Sequence, residues 1–343
     1  MMPKYKTMPK VSVIIPCYNE EKTIGMLLES LNNQSFPNNE LEVIIADGHS
    51  SDRTRDEIEK FFRVHPDLDV AVIDNPQRSI PKALNLAIAA SSGEILIRLD
   101  AHSVPNREYI ELCVQGLEEG KGDNVGGVWD IIAGNGSWIA RSIALAAAHP
   151  LGVGDAKYRY TDVEESVDTV PYGAFYRTLI DRIGGYDESL LSNEDYEFNT
   201  RIRTNGGKIW LNPRIRATYY ARASIAELAR QYWRYGYWKI HMLHKYPGTI
   251  RWRQVIPPTF VLSLIFLSLL SFYHPVFFWI LGLEVVLYAG MLAAVGLQAV
   301  VRKKDLMNLV GVPLAIATMH IFWGGAFLWS GLMSLANRSP SNN

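Results

Sequence analysis

The chain has 343 residues with 34 Lys+Arg against 35 Asp+Glu, 48% apolar residues and a mean hydropathy of zero. That balance excludes a disordered, collagen-like or disulfide-stapled protein, which would lack apolar residues or carry an excess of Gly, Pro or Cys. The charge is unevenly spread: from Ser224 onward there are ten Lys and Arg but three Asp and Glu, leaving 24 against 32 before it. An acidic globular front and a basic, very apolar back suit a membrane surface rather than a nucleic acid, so no nucleic-acid partner is expected.

In chain order, the segment from Met1 to Lys10 has charge but no apolar core of signal-peptide kind after it, so nothing is expected to export the front half. Val11 to Ile15, Glu42 to Ala46, Val70 to Ile73 and Ile95 to Leu99 are rich in β-branched residues and read as strands. Between them, Thr23 to Asn32, Ser51 to His65 and Ile80 to Ala90 carry apolar residues at three- and four-residue spacing and read as helices. This βαβαβαβ order predicts an α/β fold with a doubly wound, mostly parallel sheet, whose ligands bind at the carboxyl ends of the strands. Gly126 to Trp129 and Lys208 to Leu211 are further strand candidates, and a helix is expected from Glu194 to about Thr204. Cys17 and Cys113 are too few for a disulfide framework and read as inert core thiols in a reducing compartment.

The back half changes character. Ser224 to Tyr246 interleaves Tyr232, Trp233, Tyr235, Tyr237 and Trp238 with Arg230, Arg234, Lys239 and Lys245, a mixture suited to the lipid headgroup layer. Val255 to Phe272, Val276 to Val301 and Leu309 to Leu335 are each long and apolar enough to span a bilayer as helix. Lys245, Arg251 and Arg253 precede the first span, and Arg302, Lys303 and Lys304 follow the second, while the Ser271 to Pro275 link has neither Lys nor Arg. The positive-inside rule then predicts a hairpin with both open ends in the cytoplasm and a third span that leaves a short tail outside. The lone Glu284 within the second span reads as an interface contact or a functional group.

Four places after predicted strands or at a helix start carry side chains capable of chemistry. Pro16 removes a ladder donor and precedes Tyr18, Asn19 and Glu20 at the end of the first strand. Asp47 ends the second strand, where capping by Ser51 or Asp52 explains those residues but leaves this carboxylate free to read a base or a ribose. Asp100 and His102 end the fourth; if the chain stays extended, both leave from one face and could hold a divalent cation on phosphate oxygens, His favouring Mn²⁺ over Mg²⁺. Glu194, Asp195 and Glu197 open a helix whose dipole alone would favour acids there. The loop from Thr169 to Arg177 contains Gly173, which could admit a ligand close to the backbone, and Gln231 and Arg234 share one face of the interfacial helix. No G-x-G-x-x-G or P-loop follows either of the first two strands.

Together these pieces resemble the family 2 inverting glycosyltransferases over about residues 10 to 240. The resemblance rests on Pro16, Tyr18, Asn19 and Glu20 for P-x-Y-N-E, on Asp47 for the second-strand acid, and on Asp100 with a departure at His102 for D-x-D. It rests further on Glu194 and Asp195 for the E-D pair, and on Gln231 and Arg234 for Q-x-x-R-W, with Tyr235 departing from Trp. The Asp-Ala-His variant and the terminal spans look most like bacterial succinoglycan and exopolysaccharide glucosyltransferases. The resemblance implies a GT-A nucleotide-sugar domain over 1–223, interfacial helices over 224–254, three spans over 255–335 and a tail over 336–343. It implies binding of a UDP-sugar by Pro16, Tyr18, Glu20, Asp47, Asp100, Glu194, Gln231 and Arg234, with Mn²⁺ or Mg²⁺ on Asp100 and His102. Asp195 would be the general base. The expected reaction moves one hexose, glucose foremost, to a polyprenyl-diphosphate-linked acceptor at the plasma membrane, with the catalytic domain cytoplasmic. Q-x-x-R-W often marks processive synthases, whose spans usually flank both sides of the catalytic domain; three spans after it favour a single addition. A processive synthase, a polyprenyl-phosphate sugar transferase and a silent nucleotide-binding scaffold are the alternatives.

Overall fold

The computed structural model describes residues 10–336; the expected outside tail from residue 337 lies beyond the described residues. The chain divides into two compact units, one running to Asp130 and resuming over Tyr160–Tyr219, the other formed by Ile131–Arg159 and the chain from Tyr220 onward. Ile131–Arg159 thus groups with the helices that follow Tyr220 rather than with the sheet.

The first unit begins β1 (Val11–Cys17), α1 (Ile24–Asn32), β2 (Leu41–Asp47), α2 (Thr54–Val64), β3 (Asp69–Asp74), α3 (Ile80–Ala90) and β4 (Ile95–Arg98). It continues through β5 (Val104–Pro105), α4 (Tyr109–Glu118) and β6 (Asn124–Ile132). After α5 (Trp138–Ala147) and α6 (Pro150–Val153), which belong to the second unit, come β7 (Glu165–Ser166), β8 (Ala174–Tyr176), α7 (Arg177–Ile183), α8 (Glu194–Thr204) and β9 (Ile209–Tyr220). The sheet order is β3-β2-β1-β4-β8-β6-β9-β5, with β7 also on β9. From β3 to β4 every pair is parallel, as expected; from β4 onward β8 pairs antiparallel to β4 and β6, and β9 antiparallel to β5 and β7. The sheet is thus mixed, because the later strands are two to three residues long or enter without a crossover helix, and short strands carry too few alternating residues to be seen in sequence.

β1, β2 and β4 are buried on both faces, which explains their unbroken apolar runs, while β3 is the partly exposed edge strand. Val11, Val13, Ile15, Val43, Ile45, Ile95 and Ile97 join a core with Leu27 and Leu31 of α1, Ile58 and Phe61 of α2 and Leu117 of α4. The even-numbered positions face the other way. There Ile14, Ile44 and Leu96 are buried, and so are three polar side chains, Ser12, Glu42 and Arg98. Cys17 and Cys113 are buried free thiols, and burial pushes both thiol pKa values up, as inert core residues require.

Chain order around β1 creates the switch point. The chain leaves β1 for β2 and β3 on one side and returns to β4 on the other, so a crevice opens at the carboxyl ends of β1 and β4. The missing donor of Pro16 predicts that the chain leaves the sheet there, but β1 does not end at Pro16; pairing with β2 continues through Cys17↔Asp47. Alternate residues of a parallel strand bond to opposite neighbours, and Pro16 shares parity with Ile14, the last residue paired with β4. Its missing N–H therefore falls on the side where the ladder has already stopped. Likewise β4 ends at Arg98 rather than Leu99, and the Ser103 N–H closes a turn onto the Asp100 carbonyl at 2.9 Å.

In the second unit α9 (Ile225–Lys245), α10 (Trp252–Ser271), α11 (Pro275–Lys303) and α12 (Asn308–Leu335) follow. The last three are long and apolar enough to cross a membrane. Glu284 accepts a hydrogen bond from Ser263 Oγ of α10 at 2.5 Å, which places it on a helix contact.

Glu42 supplies the clearest test of the sheet itself. Its carboxylate, on the buried even face, accepts from Ser12 Oγ, from the Ser92 N–H at 2.5 Å and from the Gly93 N–H at 3.0 Å, tying β1, β2 and the entry to β4. Glu42→Ala strands those donors in the interior; unfolding of the detergent-solubilised variant should show a loss of about 2–3 kcal/mol, the size of charged hydrogen bonds left unmade.

Candidate active site

The loops after β1 and β2 are knitted together before any ligand arrives. Asn19, at φ +54°, accepts the Ser51 N–H at 2.8 Å and donates its own N–H to Ser50 Oγ at 2.8 Å. The Glu20 N–H bonds Thr54 Oγ1 at 2.7 Å, which ties the P-x-Y-N-E loop to the first residue of α2. Asp52 Oδ1 accepts the Thr54 N–H at 3.0 Å, but the N-cap of α2 is Arg53, whose side chain makes no capping bond, so the expected capping by Ser51 or Asp52 is not what starts the helix. Asp47 is fully buried. It accepts from Ser50 Oγ at 2.5 Å and forms an ion pair with Arg55 Nε at 2.6 Å. Tyr18 remains 42% exposed, with the Arg78 guanidinium 5.1 Å from its ring centroid and Arg78 Nε donating to the Gly48 carbonyl at 3.1 Å. An open aromatic face beside a cation and a buried acid is a surface that a planar base could occupy.

Across the crevice stands the second half of the site. His102 Nδ1 lies 3.0 Å from Glu20 Oε1, and its Nε2 lies 4.0 Å from Asp100 Oδ2. Glu20 fixes the ring through Nδ1 and turns Nε2 toward Asp100, the nitrogen that would be free to bind a cation in the neutral form. Asp100 and His102 thus come together through the turn after β4, not through an extended strand. Carboxylate-fixed imidazole plus carboxylate is a donor set that suits a divalent cation. Among the described residues no third His, Cys, Asp or Glu completes a metal-holding cluster, so phosphate oxygens and water would have to supply the remaining ligands.

The centre of the arrangement is Arg98, to which no role could be assigned from its place inside an apolar strand. Only 3% of its side chain is exposed, on the even face at the end of β4. Nη2 donates to Asp100 Oδ1 at 2.9 Å and to Glu194 Oε1 at 3.1 Å, and Nη1 is paired with Asp195. Burial alone would lower its pKa, but the charges of Asp100 and Glu194 more than offset that and hold it above the ordinary arginine range. The Tyr172 ring lies 5.8 Å from the guanidinium carbon, and burial followed by the charge of Asp100 pushes its phenol far above the usual value. Glu194 and Asp195 open α8 behind Asn193, which adopts φ +68°. They are therefore more than a dipole-favoured first turn. Asp195 keeps 28% of its side chain exposed, while Glu197 is fully buried on Arg201 and serves α8.

Some expected residues are elsewhere. Gly173 does not open a path for a ligand: a Cβ there would fall 2.0 Å from Asn124 Oδ1, so its small size serves packing against β6. Arg177 donates to the Gly93 carbonyl at 2.9 Å and the Ile88 carbonyl at 3.0 Å, a structural task. Gln231 and Arg234 are in the second unit on α9, Gln231 buried with Nε2 donating to Tyr235 OH at 2.9 Å, Arg234 exposed. Arg98 could have been suspected, because a lone arginine inside the apolar run Ile95 to Leu99 must find acids if the strand is buried.

Acids drawn from three strand ends and a helix start gather around a topological switch point, on a sheet of GT-A type. The model for glycosyl transferase family 2 matches residues 12–184, and the chain belongs to that family. It is 30% identical over 77% of its length to a dolichyl N-acetyl-α-D-glucosaminyl phosphate 3-β-D-2,3-diacetamido-2,3-dideoxy-β-D-glucuronosyltransferase of Methanococcus voltae, covering 84% of that protein. It is 29% identical over 95% of its length to the succinoglycan biosynthesis protein ExoA of Rhizobium meliloti, covering 96% of that chain. Among solved structures, a mannosyltransferase from Pyrobaculum calidifontis in complex with GDP-mannose and Mn²⁺ aligns over 97% of this chain and 88% of its own with a TM-score of 0.62. At 19% identity that likeness establishes the fold. The protein is a glycosyltransferase.

Arg98→Met keeps the side chain's volume and removes its charge, leaving Asp100, Glu194 and Asp195 facing one another. Transfer measured on purified membranes should fall at least about 100-fold, the scale for loss of a properly placed general base, and Arg98→Lys should recover only part of it, since one ammonium cannot bridge three carboxylates in fork geometry.

Proposed function

We propose that the protein is a membrane-anchored inverting hexosyltransferase that moves one sugar, glucose foremost, from a UDP-sugar to a polyprenyl-diphosphate-linked sugar. The single observation that carries this reading is the contact chain Glu20–His102–Asp100–Arg98–Asp195, which sets one partly exposed carboxylate beside a cation-suited donor pair.

Tyr18, with Pro16 fixing its loop, offers the face for the uracil, and Asp47 reads its edge when Ser50 or Arg55 yields a hydrogen bond to the ligand. Asp100 and His102 hold Mn²⁺ or Mg²⁺, with Glu20 orienting the imidazole. A divalent cation there supplies positive charge against the diphosphate leaving group. Asp195 takes the proton of the acceptor hydroxyl as its oxygen attacks the anomeric carbon from the face opposite the diphosphate. The bond from that carbon to the β-phosphate oxygen breaks and its electron pair leaves with UDP, so the configuration inverts. Arg98 aims Asp195 and, through Glu194 and Asp100, keeps base and cation site in fixed relation. A glycosidase would instead need two carboxylates flanking the scissile bond. On α9, Gln231 and Arg234 serve the donor or lipid phosphates.

A lipid-linked acceptor is supported by the Methanococcus relative, whose name specifies a dolichyl-linked N-acetylglucosaminyl phosphate, and synthesis of an exopolysaccharide by the succinoglycan relative. The basic residues flanking α10 and α11, Lys245, Arg251 and Arg253 before and Arg302 to Lys304 after, favour a plasma-membrane anchor with catalysis on the cytoplasmic face.

Two substitutions separate the roles. Asp195→Asn should reduce transfer by about 10²- to 10⁴-fold, the range for a general base, while UDP binding by calorimetry stays near that of the unmodified enzyme. Asp100→Ala should lose the cation-dependent part of UDP affinity. Unchanged turnover in the first variant removes Asp195 from the mechanism, and full cation-dependent affinity in the second removes Asp100 from the cation site.

A further inference from the structure

The rim formed by the carboxyl ends of β2 and β3 carries a side chain that helix chemistry does not explain. Arg55 is the second residue of α2, where the helix dipole favours acids such as Asp56 and Glu57 and disfavours a cation. It is held there by two carboxylates that the parallel register sets side by side, Asp47↔Asp74. Nε donates to Asp47 Oδ2 at 2.6 Å and Nη2 to Asp74 Oδ1 at 2.5 Å. Bonding to Arg55 in turn holds the Asp74 carboxyl below the usual carboxylate range, so the rim acid stays ionised and keeps its grip on the guanidinium.

Asp47 and Arg55 differ in what they show to a ligand. Asp47 has no exposed side-chain surface, and its oxygens are already met by the Ser50 N–H, Ser50 Oγ and Arg55 Nε. Arg55 is 47% exposed. The two acids fix the edge of the guanidinium that carries Nε and Nη2. Among the described residues Nη1 has no hydrogen-bond partner, so a rigidly held, charged donor is left for a ligand. The aromatic face of Tyr18 is close by: a Cβ on Gly48, the residue after Asp47, would fall 3.1 Å from Tyr18 Cδ2. The ring therefore packs on the peptide whose preceding side chain anchors the guanidinium.

We propose that Arg55 is a base-reading residue of the donor site, its Nη1 donating to the carbonyl oxygen O4 of the uracil ring. This rests on the UDP-sugar reading of the site. Sheet order sets which edge of the base arrives. With the base on Tyr18 at the end of β1, the ribose and diphosphate run toward Asp100 and His102 after β4, on one side of β1, while β2 and β3 lie on the other. The edge turned toward β2 and β3 is the one opposite the ribose, which in uracil carries the C4 carbonyl beside the N3–H. The carbonyl meets the guanidinium, and the N3–H falls on the acid side of the rim. In cytosine the same edge carries an amino group and an unprotonated N3, which sets donor against donor and lone pair against carboxylate. Arg55 thus selects uridine over cytidine nucleotides.

Nucleotides that differ in the base alone isolate the effect. Binding of UDP and of CDP to the full-length enzyme in detergent with Mn²⁺ is measured by calorimetry for the unmodified protein, Arg55→Met and Arg55→Lys. The last keeps a positive charge between Asp47 and Asp74, so the fold survives loss of the fork, and it decides alone where Arg55→Met does not fold. The unmodified enzyme should bind UDP more tightly than CDP. Arg55→Met should lose UDP affinity by about 10- to 100-fold, the scale of a hydrogen bond from a charged donor, with CDP affinity little changed. Arg55→Lys should lose most of the same preference, because an ammonium drawn between two carboxylates has no rigid third arm. Equal losses for UDP and CDP make Arg55 a structural tie between α2 and the sheet and overturn the proposal, as does a preference for UDP that persists undiminished in Arg55→Lys. An unmodified enzyme that binds neither nucleotide, or binds GDP in their place, removes the UDP-sugar reading itself, and the proposal with it.

Discussion

One buried guanidinium organises the catalytic unit. Arg98 ends the central strand β4 with almost no exposure, and an arginine in that position is tolerable only if carboxylates surround it. Three do so. Asp100 comes from the turn directly after the strand, while Glu194 and Asp195 arrive from a helix almost a hundred residues later. The electrostatic demand of one strand residue thus fixes where α8 begins relative to the sheet. That placement gives Asp195 its partly exposed position beside Asp100 and His102. The same demand binds stability to function: the acids that would repel one another in an apolar crevice are held together by the charge they neutralise.

Much of this was legible because the chemistry sits where strands stop. The four parallel strands announced themselves through unbroken β-branched runs, and the switch between β1 and β4 follows from their order. Asp47, Asp100 and Asp195 could be picked out as acids at element ends. What was hidden is of two kinds. Arg98 sits inside a run that reads as apolar strand, and its partners are distant in sequence, so only burial reveals the need for them. The turn after β4 was hidden for a different reason: Leu99 continues the strand pattern, yet the backbone leaves the sheet at Arg98 and curls so that the Ser103 N–H meets the Asp100 carbonyl. Asp100 and His102 still converge, by a route that strand geometry would not give.

The antiparallel half shows the limit of periodicity. β5 and β7 have two residues each and β8 has three, too short for alternation, and they are strands because β4, β6 or β9 offers them a partner. The back half shows the limit of hydropathy. α10, α11 and α12 are alike in composition, but composition reports what a helix can face, not the depth at which it lies. Depth is set by the company a helix keeps, and α12 packs on α9 and α5 as well as on α10 and α11.

The claim that the active site is assembled by the Arg98 charge is tested most directly by a double-mutant cycle on unfolding free energy, using Arg98→Met, Asp195→Asn and the two combined. If the guanidinium and the carboxylate act as one buried unit, the combined loss falls short of the sum of the separate losses by about 1–3 kcal/mol, the coupling expected of residues in direct ionic contact. Losses that simply add would show that Arg98 and Asp195 stand in the folded enzyme without depending on each other, and the account of how the site is held together would fail.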